Sequence, residues 1–233
     1  VLVEGQTEEA FVTRILAPHL YGYGYLAVAA KLLGHAHSRK KRGGIRNWAA
    51  TSLEILLHLK ADVGVVVTTM VDYYGLPQGP PEDVRAWPGR SESGQQPVGT
   101  KRAETVEASL RESIATKLDA HLDARRFIPF VVLHEFESLL FSDCQAIAAQ
   151  FQQVGLRDQL EAICQPYTTP EEINDSPQTH PSRRLIQLIP GYRKPIHGLE
   201  AAEAAGLATI RAHCPHFASW LDRLERIPVD GFP

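Results

Sequence analysis

The stretch from Asp62 to Val71, closing on Asp72, constrains this chain more than any other: it is apolar, rich in β-branched residues and far too short to span a bilayer. A run of that kind, with no polar alternation, suits a central strand of a parallel sheet that is buried on both faces. Parallel strands need long crossover connections, so helical patterns should flank it. On one side Trp48, Leu53, Leu56 and Leu57 recur at helical spacing over Asn47 to Leu59, and on the other a helix is predicted over Ala103 to Leu122.

The alternation extends along the chain. Val1 to Val3 reads as a strand, followed by a helix capped by Thr7 that carries Phe11, Val12, Ile15 and Leu16 on one face. Tyr25 to Leu33 is a second expected strand, and Phe127 to Leu133 another. Leu76 to Thr100, rich in Gly, Pro, Ser and Gln, is expected to be a long surface loop, and loops of that length tend to be functional. Beyond it the pattern is mostly helical, interrupted by polar residues Ile173 to Lys194 and ending in helices around Ala201 to His213 and Phe217 to Leu224. The expected fold is α/β, a mainly parallel central sheet flanked by helices with a helical C-terminal part. Its core is expected over residues 1–145, with residues 146–233 packed on it as an extension. A strand rarely opens at residue 1 without a lead-in, so a few natural residues are expected to precede it outside this numbering.

Composition narrows the function. A net charge of -3 over 233 residues excludes a protein that coats nucleic acid over its whole surface, so such binding would need local positive charge. Cys144, Cys164 and Cys214 are widely spaced and lack a CxxC pairing, which argues against a disulfide framework or a zinc ribbon. With no apolar run of bilayer length and no leader pattern, a cytoplasmic protein without membrane attachment is expected.

Chemistry is suggested by where the acids fall. Ligands of parallel α/β sheets bind at the carboxyl ends of the strands, and Glu4, Asp72 and Glu135 each stand at such an end. Glu8 follows Glu4 by four residues and can face back across the strand-to-helix turn; alone, it also suits a helix N-terminus electrostatically. If the strand continues through His134-Glu135-Phe136-Glu137, both glutamates leave it on one face. Carboxylates converging from distant segments repel one another and call for a cation. Hard oxygen ligands suit Mg²⁺ or Mn²⁺, which can serve phosphodiester displacement.

Val3-Glu4-Gly5-Gln6-Thr7-Glu8 resembles the opening motif of Toprim domains, particularly those of nucleases related to the OLD (overcoming lysogenization defect) family. Three further motifs follow in order: Val71-Asp72-Tyr73-Tyr74-Gly75-Leu76-Pro77; His134 through Phe141; and Ile173-Asn174-Asp175 through Pro181-Ser182-Arg183-Arg184 to Tyr192-Arg193-Lys194. Together they make nearly the whole chain similar to the bacterial Toprim-like family catalogued as domain of unknown function 4276. The resemblance implies that Glu4, Glu8 and Asp72 bind metal, that Lys194 steadies charge at the reacting phosphate, and that an ABC-type ATPase is a partner in defence against phage. One departure stands out: the second acid of the usual Asp-x-Asp pair is Tyr74 here, so Glu135 or Glu137 must replace it if the ligand set is complete.

Basic residues supply the phosphate contacts such an enzyme needs. Arg39, Lys40, Lys41, Arg42 and Arg46 form one group, and Arg183, Arg184 and Arg193 with Lys194 another. The first group is equally what a solvated loop carries. Ser182 is expected to cap a helix whose N-terminus attracts an anion. Gly99-Thr100-Lys101 lacks the Gly-Lys-Ser/Thr order of a phosphate loop, and His134-Glu135 lacks the second histidine of a zinc protease, Ser138 standing there. The leading expectation is therefore Mg²⁺- or Mn²⁺-dependent hydrolysis of DNA or RNA, with Glu4, Asp72 and Lys194 catalytic and Glu4, Glu8, Asp72, Glu135 and Glu137 holding metal. The alternatives are a non-catalytic regulatory or sensor subunit of an ATPase complex and a hydrolase of small phosphorylated metabolites, and homo-oligomers are compatible with each.

Overall fold

The computed structural model describes residues 1–33, 45–80, 82–173 and 179–230. Strands β1 (Leu2–Val3), β2 (Lys31–Leu32), β3 (Val67–Asp72), β4 (Phe127–Ile128) and β5 (Val131–Val132) form one parallel sheet, ordered β2-β1-β3-β4 with β5 also pairing to β3. Leu2 stands opposite both Lys31 and Thr69, Val67 opposite Phe127, and Val71 opposite Val131. The helices are α1 (Gln6–Phe11), running through a π turn at Val12–Leu16 into α2 (Ala17–Tyr21), then α3 (Trp48–Ala61), α4 (Thr100–Ala115), α5 (Glu137–Leu140), α6 (Cys144–Ala148), α7 (Leu156–Cys164), α8 (Pro181–Leu188), α9 (Leu199–His213) and α10 (Pro215–Asp230).

The strict twofold alternation of a strand divides the core in two. Leu2, Val67, Val71, Phe127 and Val131 pack with α3 and α4 through Trp48, Ile55, Leu59, Val106, Leu110 and Ile114. Val3, Met70, Ile128, Phe130 and Val132 face the other way, onto Phe11, Val12 and Leu16 and onto C-terminal residues such as Ile210, Phe217, Trp220 and Leu221. The C-terminal helices thus share a core with the strands. Trp220 lies parallel to Phe130, ring centres 4.5 Å apart, and its Nε1 donates to Thr68 Oγ1 at 2.8 Å inside the sheet face.

Several expected boundaries move, for local reasons. The expected strand Phe127 to Leu133 is split because Pro129 has no N–H to give the ladder. Thr69 repairs the break: its hydroxyl donates to the Phe130 carbonyl and accepts from the Phe130 N–H, both at 3.0 Å. Of Tyr25 to Leu33 only Lys31–Leu32 pairs, and Leu26 is fully exposed, so this edge has too little apolar cover to form a longer strand. The run from Asp62 enters the sheet only at Val67, after a turn in which Asp62 Oδ1 accepts from Gly64 N. Helix α4 stops at Ala115 rather than Leu122, where its buried stripe Ala103, Val106, Leu110 and Ile114 runs out. Among its described residues, the segment from Leu76 to Gly99 is a loop with a single 3-10 turn at Glu92–Gln95. Among the described residues no helix is long and apolar enough to cross a membrane.

Candidate metal centre

Glu4 leaves the end of β1, and its Oε2 accepts from the backbone N–H of Asp72 at 3.3 Å, tying the ends of β1 and β3 together. Helix α1 begins two residues earlier than a Thr7 cap would place it: Gly5 is the N-cap residue and Thr7 is inside the helix. Glu8 is then the third helical residue, and its Oε2 lies 2.8 Å from where a Cβ on Gly5 would stand. Its carboxylate accepts from the backbone of Gly5 and of Glu8 itself, the return half of a capping box. Gly75, just past Asp72, is equally close: a Cβ there would meet both Glu4 carboxylate oxygens at 3.1 and 3.2 Å and Ile45 Cδ1 at 2.9 Å.

Asp72 is on the Met70 face of β3 and points at the β5–α5 connection, where its Oδ1 accepts from Phe136 N at 3.1 Å. That bond, with a turn in which Ser138 N donates to Glu135 O, ends the strand before Glu135. The expectation of Glu135 and Glu137 alternating on a strand is therefore wrong. Phe136 instead starts α5, and Glu137 is its first residue. The two carboxylates still meet, because Lys194 Nζ lies 3.5 Å from Glu135 Oε1 and 3.3 Å from Glu137 Oε2. Lys194 opens a π turn, Lys194–Gly198, held against α1 by Gly198, where a Cβ would stand 3.3 Å from Thr7 Cγ2.

The five acids thus converge around one ammonium, and their proton affinities divide accordingly. Burial, reinforced by Glu8, Glu4, Glu137 and Glu135, drives Asp72 well above the ordinary aspartate range. Burial also raises Glu4, against the pull of the Asp72 N–H and Lys194, and raises Glu8. It pushes Glu137 up to about 7. Burial would raise Glu135 too, but Lys194, Ser182 and His180 outweigh it and hold this carboxyl low. Lys194 would be lowered by burial, yet Glu137, Glu135 and Asp72 overcome that and keep it charged.

His180 and Tyr192 join this site without having been singled out in the sequence, and Ser182 joins it as a donor to Glu135. His180 Nδ1 is 3.0 Å from Glu135 Oε2, Ser182 N donates to that oxygen at 2.9 Å, and Ser182 Oγ donates to Oε1 at 3.1 Å. Glu135 is thus the anion at the α8 N-terminus. Ser182 is not its N-cap; His180 is. Tyr192 presents a buried hydroxyl that has no hydrogen-bond partner among the described residues, and burial together with Glu137 and Glu135 raises its proton affinity. Tyr74 turns out of the cluster, half-exposed and stacked on His134 with ring centres 5.4 Å apart.

The basic residues are more dispersed. Arg39, Lys40, Lys41 and Arg42 lie outside the described residues. Arg46 is partly exposed beside Ile45 and pairs with Glu54 at 3.7 Å. Arg184 is committed to the Thr179 carbonyl and Tyr167 Oη. Arg183 and Arg193 are exposed and adjoin Ser182 and Lys194 in the chain.

A family model matches residues 3–225. The chain belongs to the family described as domain of unknown function, DUF4276. No curated protein and no solved structure matches it. For this DUF4276 member, most of the acids have a structural duty: Glu4, Glu8, Asp72 and Glu135 each accept from the backbone. Among the described residues no group of three or more His, Cys, Asp or Glu side chains is disposed to hold a metal ion as it stands. What structural duty leaves unexplained is the surplus of negative charge. Glu137 is 2% exposed, and its partner outside its own helix is the Lys194 it shares with Glu135. A buried acid that raises its own proton affinity destabilises the fold at neutral pH, and such groups concentrate at functional sites.

Proposed function

We propose that this chain is a divalent-metal-dependent phosphodiesterase acting on nucleic acid, built as a Toprim-like domain. The observation that carries the reading is the convergence of Glu4, Glu8, Asp72, Glu135 and Glu137 at one end of the sheet with Lys194 as the cation between two of them. The donor set fits Mg²⁺ or Mn²⁺: it is all carboxylate, comes from rigid strand and helix ends, and carries more negative charge than Lys194 neutralises. A bound divalent ion would supply Lewis-acid charge at the scissile phosphate. The chain's own residues do the rest. Lys194 is released from Glu135 and Glu137 once their charge is otherwise met, and its ammonium then faces the phosphate. Arg183 and Arg193, exposed and adjoining Ser182 and Lys194 in the chain, contact the flanking backbone phosphates.

The test is incubation of purified protein with single- and double-stranded DNA and RNA in Mn²⁺. Cleavage by the native chain should fall by on the order of 10²-fold or more in the Glu4→Ala, Asp72→Ala double variant. Equal cleavage by both proteins would remove the site. A second reading is favoured by Tyr74, which places an aromatic ring where a second acid would complete the usual pair. On that reading the chain is a non-catalytic subunit that acts by binding an ATPase partner. Co-purification with an ATPase and no heat of Mn²⁺ binding would support it, and tight ion binding by the isolated chain would count against it.

A further inference from the structure

Away from the acid cluster, two of the three cysteines lie against each other. Cys144 opens α6 and Cys164 closes α7, and these helices pack so that the sulfurs are 3.7 Å apart, each also 3.9 Å from the carbonyl oxygen of Phe141. Both line an open pocket with Phe141, Arg157, Glu161 and Tyr167. Cys214, by contrast, is fully buried and belongs to the core beneath the C-terminal helices. We propose that Cys144 and Cys164 form a dithiol–disulfide modification site, oxidised by exchange with a small anionic disulfide of the glutathione class.

Geometry and environment support the assignment together. Sulfurs already in van der Waals contact need only small side-chain rotations to approach a bond of about 2.05 Å. Cys164 is the more exposed of the two, and the adjacent Cys144 S–H, which can donate to it, makes it the first to lose a proton. Cys144 is correspondingly held protonated by that shared hydrogen bond and by burial. The pocket also offers guanidinium groups to the carboxylates of the reagent: Arg157, 56% exposed, pairs with Glu161 at 2.6 Å at its edge, and Arg184 favours the Cys164 thiolate against the opposing charge of Glu161.

The chemistry follows the usual exchange sequence. The Cys164 thiolate attacks one sulfur of the reagent, breaking its S–S bond, forming a mixed disulfide on Cys164 and expelling one thiolate. Cys144 then loses its proton to solvent and attacks Cys164 Sγ, forming the Cys144–Cys164 bond and expelling the second thiolate. The two cysteines are oxidised by two electrons, and the reagent is reduced to two thiols. The bond closes a loop of the chain from α6 to α7, beside the carbonyl of Phe141, the residue that follows α5.

The experiment uses the intact, folded chain with oxidised glutathione as probe, followed by titration of free thiols and peptide mass spectrometry. The three free thiols should fall to one, with the protein losing two hydrogens and Cys144 and Cys164 recovered in one cross-linked peptide pair. Cys144→Ser should stop at a glutathionyl adduct on Cys164, and Cys164→Ser should react at least tenfold more slowly. Circular dichroism of each variant checks that it is folded, and both serine replacements are near-isosteric. Three free thiols remaining in the folded chain would overturn the proposal, as would loss of thiols only in urea or equal adduct formation by the two variants. The outcome is independent of whether the acid cluster hydrolyses anything.

Discussion

Replacing Glu137 with Gln should make the metal-free protein more stable, and by an amount that depends on pH in a defined way. The side chain is 3% exposed and its carboxyl is raised from 4.5 to about 7, chiefly by burial. A carboxyl that binds its proton more tightly in the folded chain than in the unfolded one is neutral in both states well below pH 4.5, where it has no effect on stability. As pH rises from the unfolded value to about 7, the unfolded chain gains by ionising while the folded chain does not, so stability is lost through that window and stays lost above it. Each pH unit of difference is worth about 1.36 kcal/mol, so Glu137 withholds about 3 kcal/mol at pH 8 but only about 1 kcal/mol at pH 5. Gln keeps an oxygen that can accept from Lys194 and removes the charge. Urea unfolding at pH 5 and pH 8 in a chelating buffer should therefore show Glu137→Gln gaining roughly 3 kcal/mol at the higher pH and much less at the lower. Adding Mn²⁺ should narrow or reverse the gap at pH 8, because an ion that binds only the folded wild type stabilises it by mass action. A variant less stable than wild type at pH 8, or a difference that does not change between the two pH values, would refute the electrostatic account of this site.

Two further outcomes test how the site and the core are held. Gly75→Ala places a Cβ within 3.1 Å of the Glu4 carboxylate and 2.9 Å of Ile45; it should cost only about 1–2 kcal/mol in urea but weaken Mn²⁺ binding at least tenfold by calorimetry, as Glu4 is pushed aside. Trp220→Ala removes the ring stacked on Phe130 and the donor to Thr68 Oγ1; thermal or urea unfolding should show a loss of about 3–5 kcal/mol, with Mn²⁺ affinity unchanged in the protein that remains folded.

What was legible in the chain was whatever short-range pattern dictates. The apolar run into Asp72 marks a doubly buried strand because no polar face interrupts it, and the structure places β3 between β1 and the β4–β5 pair. Glu4 and Glu8 could be paired from their spacing across one strand-to-helix turn. The strand character of Phe127 to Leu133 was visible too, though its division at Pro129 depended on Thr69 from another strand supplying the missing bonds. Glu137 misled the reading, since its alternation with Glu135 is a strand pattern. A single long-range bond, Phe136 N to Asp72 Oδ1, starts a helix there instead. Ser182 reads as a cap at an anion-attracting helix start, and the anion there is Glu135, but His180 and Tyr192 sit in polar segments with no periodicity, so nothing local distinguishes them from solvent-facing residues.

The sequence by itself determined the α/β class, the central strand and the acids at strand ends, because alternation and helical spacing are properties of a few neighbouring residues. Only the tertiary structure decided that Lys194 stands between Glu135 and Glu137, that Glu135 is held at the start of α8, and that Cys144 meets Cys164. Those contacts join residues 20 to 59 positions apart. They are settled by how helices pack on a sheet, where burial and charge from separate segments act on one another at a few ångströms.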